Sequence, residues 1–215
     1  MQPYFVPYAG YFRLFAATDL FVLYDCVQFP RRGWLHRNQL LDARGEAQWL
    51  TLPLAKAPRE VLIRDLAFRE TAAAEMAEQC RRFPALRGEA AAALMARMAD
   101  VSGSPLDYIE RLLHFVAETL GLPWRVMRSS RLGIDPAIRG QDRILAIAAA
   151  LGAGTYVNPS GGRALYDAAR FAEAGMALRF LPPHEGAYAS IAQRLATEDA
   201  AAIRAEIDAG SHLVP

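Results

Sequence analysis

Hydrophobic and polar positions change rhythm three times along the chain. Residues 1–10, MQPYFVPYAG, interleave two prolines and a glycine with aromatics, which disfavours helix until Tyr11 and reads as a loop. Residues 11–17 then suit a short helix, and residues 20–29, LFVLYDCVQF, are apolar, β-branched and aromatic enough for a buried strand. A polar turn over residues 30–33 leads into WLHRNQLL, and residues 48–54 give a second strand whose Pro53 places its end near a sheet edge.

From about residue 68 to residue 120 the pattern becomes alanine-rich and helical, interrupted at Phe83-Pro84 and at Ser102-Gly103-Ser104-Pro105. Ser104 is placed to cap a helix and Pro105 to open it, so a helix is predicted over residues 105–120, ending at Gly121. Leu106, Ile109, Leu113 and Val116 share one face of it, with His114 beside them as a packing or surface residue. Beyond it the pattern alternates: strand at 124–127, helix at 141–151, strand at 155–157, helix at 165–174, strand at 177–181. Alternation of this kind predicts parallel βα units. The fold class expected is α/β, a mainly parallel sheet with flanking helices. A single domain over residues 1–215 carries an α-helical insertion at about 68–120.

Charge and composition narrow the chemistry. The 215 residues carry 24 basic and 23 acidic side chains, a net charge of +1, so no bulk attraction to nucleic acid is available and anion binding must be local. Lys56 is the one lysine, which leaves a Schiff-base mechanism a single candidate. Cys26 and Cys80 build neither a zinc cluster nor a disulfide framework, so no metal is expected and a reducing cytoplasm is the expected location. No apolar run approaches the ~20 residues of a membrane span, and no charged leader precedes one.

Three loops offer chemistry, because ligands of open α/β sheets gather where strands end and helices begin. The first, residues 2–11, holds Gln2, Gly10 and Tyr11; it reads either as a ligand-approach loop or as a stiff arm packing its aromatics. The second, residues 25–38, compresses Asp25, Gln28, Trp34, His36, Arg37 and Asn38 behind a buried strand. Here His36 is a candidate general base, Asp25 its orienting partner, and Arg37 and Asn38 holders of an anionic or carbonyl group; a solvated basic turn is the plainer reading. The third holds Asn158, Ser160, Gly161 and Gly162, with Tyr166 one turn later, and its adjacent glycines permit an anion-binding nest. Ser129-Ser130 ends a neighbouring strand on the same expected edge. Neither a phosphate loop nor a GxSxG elbow occurs.

The segments MQPYFVPYAGYFRLF, DLFVLYDCVQFPRRGWLHRNQLL, WLTLPL, GAGTYVNPSGGRALYD and FAEAGMALRF resemble the WbqC-like family of bacterial proteins. The likeness spans residues 1 to about 181, with a divergent helical middle. Members are typically encoded among genes for O-antigen and other surface polysaccharides, so the resemblance implies modification of a sugar precursor. The motif positions it marks are Gln2, Pro3, Pro7, Gly10 and Tyr11; then Asp25, Gln28, Gly33, Trp34, Arg37 and Asn38; then Asn158, Gly161, Gly162 and Tyr166. Members usually carry a short apolar strand before the QP segment and an aromatic Pro-Trp-Leu-Ser segment near the end, and this chain shows neither. A looser analogy links Gly10-Tyr11 to the Gly-His of nucleotidylyltransferase and pantothenate-synthetase folds, where the tyrosine removes the phosphate-contacting imidazole.

The function expected is therefore an enzyme transferring an acyl or aminoacyl group to an amino sugar or its nucleotide-linked form, with Trp34 or Tyr11 stacking on the substrate. A non-catalytic sugar-nucleotide or partner-binding module and an ATP-dependent amide ligase are the alternatives. The sequence designates no cofactor.

Overall fold

The computed structural model describes all residues 1–215. A 3-10 turn (Ala9–Phe12) leads into α1 (Arg13–Ala17), followed by strands β1 (Phe21–Leu23), β2 (Arg37–Leu41) and β3 (Ala47–Thr51). Next come α2 (Ala72–Cys80), α3 (Ala92–Ala99) and α4 (Pro105–Thr119), and then β4 (Val126–Arg128), α5 (Gly140–Ala150) and β5 (Thr155–Pro159). The chain finishes with α6 (Ala168–Glu173), β6 (Ala177–Leu181), α7 (Ile191–Thr197) and α8 (Ala200–Ala209).

Helix α4 begins where the sequence places it. The Ser104 hydroxyl accepts from the Asp107 amide at 3.1 Å, and the Asp107 carboxylate accepts from the Ser104 amide at 3.0 Å. This reciprocal cap satisfies two donors that the first turn leaves unpaired and stabilises the helix by about 1 kcal/mol. Its inner face buries Leu106, Ile109, Leu113 and Val116 in the main core, and His114 stacks on Trp124 with ring centroids 4.7 Å apart.

The strands form three pairs rather than one sheet: β1 with β4, parallel; β2 with β3, an antiparallel hairpin; and β5 with β6, parallel. Mixed helix and strand with small parallel sheets is thus the architecture, and the expected mainly parallel sheet is not formed as a continuous unit. The reason lies at two open edges. On its side away from β4, β1 carries a single further rung: the Met1 nitrogen donates to the Val22 carbonyl and the Tyr24 amide to the Met1 carbonyl, both at 2.8 Å. Beyond that rung β1 and β5 face each other across a cleft of about 930 Å³ walled by Phe21, Val22, Ile144, Ile147, Tyr156 and Val157. A core cluster of 36 buried residues includes Leu14 and Phe21 of the cleft wall. A second cluster of Ala148, Phe171, Met176, Leu178 and Phe180 supports the β5–β6 pair.

Strand β1 is shorter than its apolar run because Asp25 turns away to the hydroxyls of Ser129 and Ser130. No helix is long and apolar enough to cross a membrane.

Candidate functional site

The carboxyl ends of the parallel strands make a polar rim on the cleft. Gln2 from the first loop and Asn158, Gly162 and Tyr166 from the third line this one cavity, together with Tyr24, Gln141 and Tyr156. The Tyr156 and Tyr166 hydroxyls lie 3.1 Å apart, and the Asn158 amide donates to the Tyr156 hydroxyl at 3.1 Å. Burial pushes the Tyr156 phenol well above its ordinary range, so it serves as a neutral donor or acceptor. Gly162 packs closely on the rim, since a Cβ there would stand 3.0 Å from the Asn158 carboxamide and would shift it. Ser160 and Gly161 lie in the following 3-10 turn (Ser160–Leu165) and are not part of the cleft wall.

Behind the rim, the strand ends of β1 and β4 enclose a buried polar group centred on Asp25. Its carboxylate accepts from the Ser129 hydroxyl at 2.8 Å, the Ser130 amide at 2.9 Å and the Ser130 hydroxyl at 2.6 Å. Beside it the Cys26 sulfur lies 3.0 Å from the Ser129 hydroxyl and receives the Arg143 guanidinium at 3.1 and 3.3 Å. Arg143 is 4% exposed; its remaining donors go to the Asp135 and Ile138 carbonyls, so no carboxylate pairs with it directly. The arrangement fixes an acid, two hydroxyls and a guanidinium at the place where parallel sheets present ligands.

The second loop goes elsewhere. The expected Asp25–His36 pair is not made, because every hydrogen bond of the Asp25 carboxylate runs to Ser129 or Ser130. His36 sits edge-on to Phe29 at 5.0 Å, and its Nδ1 is sealed from solvent without a partner. Burial, and secondarily the Arg37 charge, lowers its pKa to about 4, so the ring is neutral at ordinary pH. Arg37 lies 4.2 Å over the Trp49 ring and donates to the Gly33 and Arg32 carbonyls, so its fork is turned to the hairpin rather than to an anion. Gln28 donates to the Arg59 carbonyl at 2.8 Å. Trp34 stands 46% exposed beside Trp49.

Two further residues are framework. Asn38 is 3% exposed and donates to the Val6 and Phe5 carbonyls at 2.6 and 3.3 Å, which removes it from contact with substrate. The Tyr11 hydroxyl donates to the Gln2 carbonyl at 2.9 Å from a buried position, fixing Gln2 at the rim. Gly10 opens no path for a ligand either, for Tyr8 and His184 fill the space a Cβ would take.

Sequence reasoning missed Tyr156 and Arg143. Tyr156 had a signal, since it shares a strand with Asn158 at the two-residue spacing that puts both on one face. Arg143 had none, being one of many arginines on helices.

No group of three or more His, Cys, Asp or Glu side chains is placed to hold a metal ion.

The sequence profile of the WbqC-like protein family matches residues 2–196. An uncharacterized protein of Mycobacterium tuberculosis is 35% identical over 94 residues, covering 36% of this chain and 40% of the relative's own length. No solved structure matches.

Proposed function

Because the chain belongs to the WbqC-like protein family, we propose that it is an enzyme of surface-polysaccharide biosynthesis that transfers an acyl or aminoacyl group to an amino sugar or its nucleotide-linked form. The observation that carries this reading is the convergence of Gln2, Asn158, Gly162 and Tyr166 on one rim, with Tyr24 of the same wall adjoining Asp25 in the chain. Amide and phenol groups of this kind match the hydroxyls and ring substituents of a sugar. In this reading Gln2, Asn158 and Tyr166 hold the acceptor. As the acceptor amine attacks the donor carbonyl to form the C–N bond, its proton passes through the Ser130 hydroxyl to the Asp25 carboxylate. The tetrahedral adduct then collapses with cleavage of the donor's C–S or C–O bond, and the leaving thiol or hydroxyl takes that proton back.

His36 enters only as a neutral acceptor on the hairpin face, and as a base it is weak because its pKa lies near 4. The test is incubation with UDP- and dTDP-amino sugars and acyl-thioester or aminoacyl donors, followed by mass spectrometry. A new amide on the sugar, lost in Asp25→Asn and in Ser130→Ala, is the expected result; no mass shift across the panel removes the enzymatic reading.

A second reading is favoured by a specific observation. The Asp25 carboxylate makes all its hydrogen bonds with serines, and neither Asp25 nor Ser130 lines the cleft, as suits a module that binds a sugar nucleotide without changing it. It predicts thermal stabilisation by sugar nucleotides, diminished in Tyr166→Ala but retained in Asp25→Asn. The adenylating reading has no such support, since the Tyr11 hydroxyl is committed to the Gln2 carbonyl.

A further inference from the structure

Two strand edges with open main-chain groups bound the cleft between β1 and β5. On one side, the Phe21 amide donates to the Arg125 carbonyl at 2.8 Å, and β1 then runs parallel to β4 with Phe21 opposite Val126. Each peptide unit is planar, so the Leu20 carbonyl and the Val22 amide point the opposite way, into the cleft. On the other side, the Ala177 amide donates to the Gly154 carbonyl at 2.9 Å, which turns the amides and carbonyls of Thr155 and Val157 away from β6. None of these groups finds a main-chain partner, and all four residues line the cleft.

Met1 shows what fits between these edges. It donates to the Val22 carbonyl and accepts from the Tyr24 amide, bonding on either side of Leu23 in the pattern of a parallel bridge. A backbone that extends this bridge toward the amino ends of the strands meets the Leu20 carbonyl and the Val22 amide with one residue, and turns its neighbours toward β5. The side chains around it are apolar: Leu14 and Ala17 come from α1, Ile144 and Ile147 from α5, and Asp19 is the one charged side chain of the lining. Strands inside parallel sheets, covered by helices, are aliphatic on both faces for the same reason.

We propose that the cleft is a strand-addition site: it takes an extended, aliphatic segment of a partner polypeptide, parallel to β1 and β5, which joins the two strand pairs into one sheet. Two unpaired edges facing each other select a main chain, because a strand offers donors and acceptors to its two neighbours by turns. A fatty acyl chain would suit the apolar walls but leave the edge amides and carbonyls buried without partners. A saccharide would meet those groups but not the aliphatic side chains around them. The rim of Gln2, Asn158, Gly162 and Tyr166 follows Met1 at the carboxyl ends of the strands, so the added segment leaves it open. The proposal does not depend on the enzymatic reading of that rim.

The experiment titrates the full chain into a peptide amide, Val-Ile-Val-Ile-Val, that carries fluorescein and two lysines at its amino end. A saturable rise in anisotropy with Kd of about 0.1 mM or tighter is expected. Hydrogen exchange at the Val22 and Val157 amides slows on saturation. The same peptide N-methylated at alternate residues keeps its side chains but loses half its donors, and binds at least tenfold more weakly. Val22→Pro removes a cleft-facing donor and none that pairs with β4, and weakens binding at least tenfold. The site is refuted by no saturable binding, by equal affinity for the N-methylated peptide, or by unchanged exchange at Val22 and Val157. Displacement by dodecanoate at lower concentration than by unlabelled peptide refutes it in favour of an acyl chain. Dimerisation of the protein that excludes the peptide refutes it in favour of a second copy.

Discussion

The Val6 carbonyl makes a sharp prediction, because two side chains from opposite ends of the chain share it. Asn38→Ala removes a 2.6 Å bond to that carbonyl and a 3.3 Å bond to the Phe5 carbonyl. At about 1 kcal/mol per bond, plus part of the cost of under-satisfied buried acceptors, the loss comes to about 2–4 kcal/mol. Ser190→Ala removes the 2.7 Å bond and a longer one from the Ala192 amide at 3.3 Å, about 1–2 kcal/mol. In either single variant Val6 keeps one partner; in the double variant its carbonyl is orphaned in the core. The double loss should therefore exceed the sum of the singles by about 1 kcal/mol. The backbone strain adds a second arm. Glycine ordinarily destabilises more than alanine by about 1 kcal/mol, but at φ 40° it relieves the strain, so Val6→Gly should cost no more than Val6→Ala. Urea unfolding followed by tryptophan fluorescence gives all five values. Additive singles, together with a Val6→Gly that is clearly worse than Val6→Ala, would refute the picture of a strained residue clamped from two sides.

Acid sensitivity should report His36. With its folded pKa near 4 and its unfolded value near 6.5, the unfolded chain binds more protons between those limits. Stability therefore rises with pH across that window, is fully present above about pH 6.5, and is lost as pH falls toward 4. After allowance for partial solvent screening the loss is about 1–2 kcal/mol, and His36→Phe should flatten this limb in chemical unfolding measured from pH 4 to 7. Arg143→Met leaves the Asp135 and Ile138 carbonyls without their donor, and a fall of about 2–4 kcal/mol in urea unfolding is expected. Gly162→Ala forces its Cβ to 3.0 Å from the Asn158 carboxamide. Thermal-shift titration should show weakened binding of any sugar nucleotide that stabilises the parent protein, with the melting temperature of the free protein within a few degrees of it.

Local signals were the legible part of the fold. The Ser104-Pro105 start of α4 and the positions of α5, β5 and β6 follow from caps, glycines and short apolar runs that act within a few residues. What the pattern did not reveal was pairing. The apolar run after Leu20 looks like a strand of ten residues, yet only Phe21–Leu23 is one, because Asp25 is drawn to two serines more than a hundred residues away. The residues WLHRNQLL passed as the sequel to a turn, although Arg37–Leu41 pairs with Ala47–Thr51 as a hairpin. The same blindness to long-range partners affected the site. Loop chemistry singled out Gln2, Asn158, Gly162 and Tyr166, which do meet. It could not separate them from Asn38 and Arg37, whose polar groups are turned inward to carbonyls. A buried asparagine and a ligand-binding one read alike until their neighbours are known.

The single rung that Met1 adds to β1 bears on how the protein is handled. Met1 keeps 38% of its surface, yet it lines the cleft and its nitrogen is held by the Val22 carbonyl at 2.8 Å. An affinity handle fused at that end would thread a polar leader along the open edge of β1. The same handle after Pro215, an exposed position following the Val214–Phe180 bridge, would hang free. An expression vector for this chain should carry its tag at the carboxyl terminus.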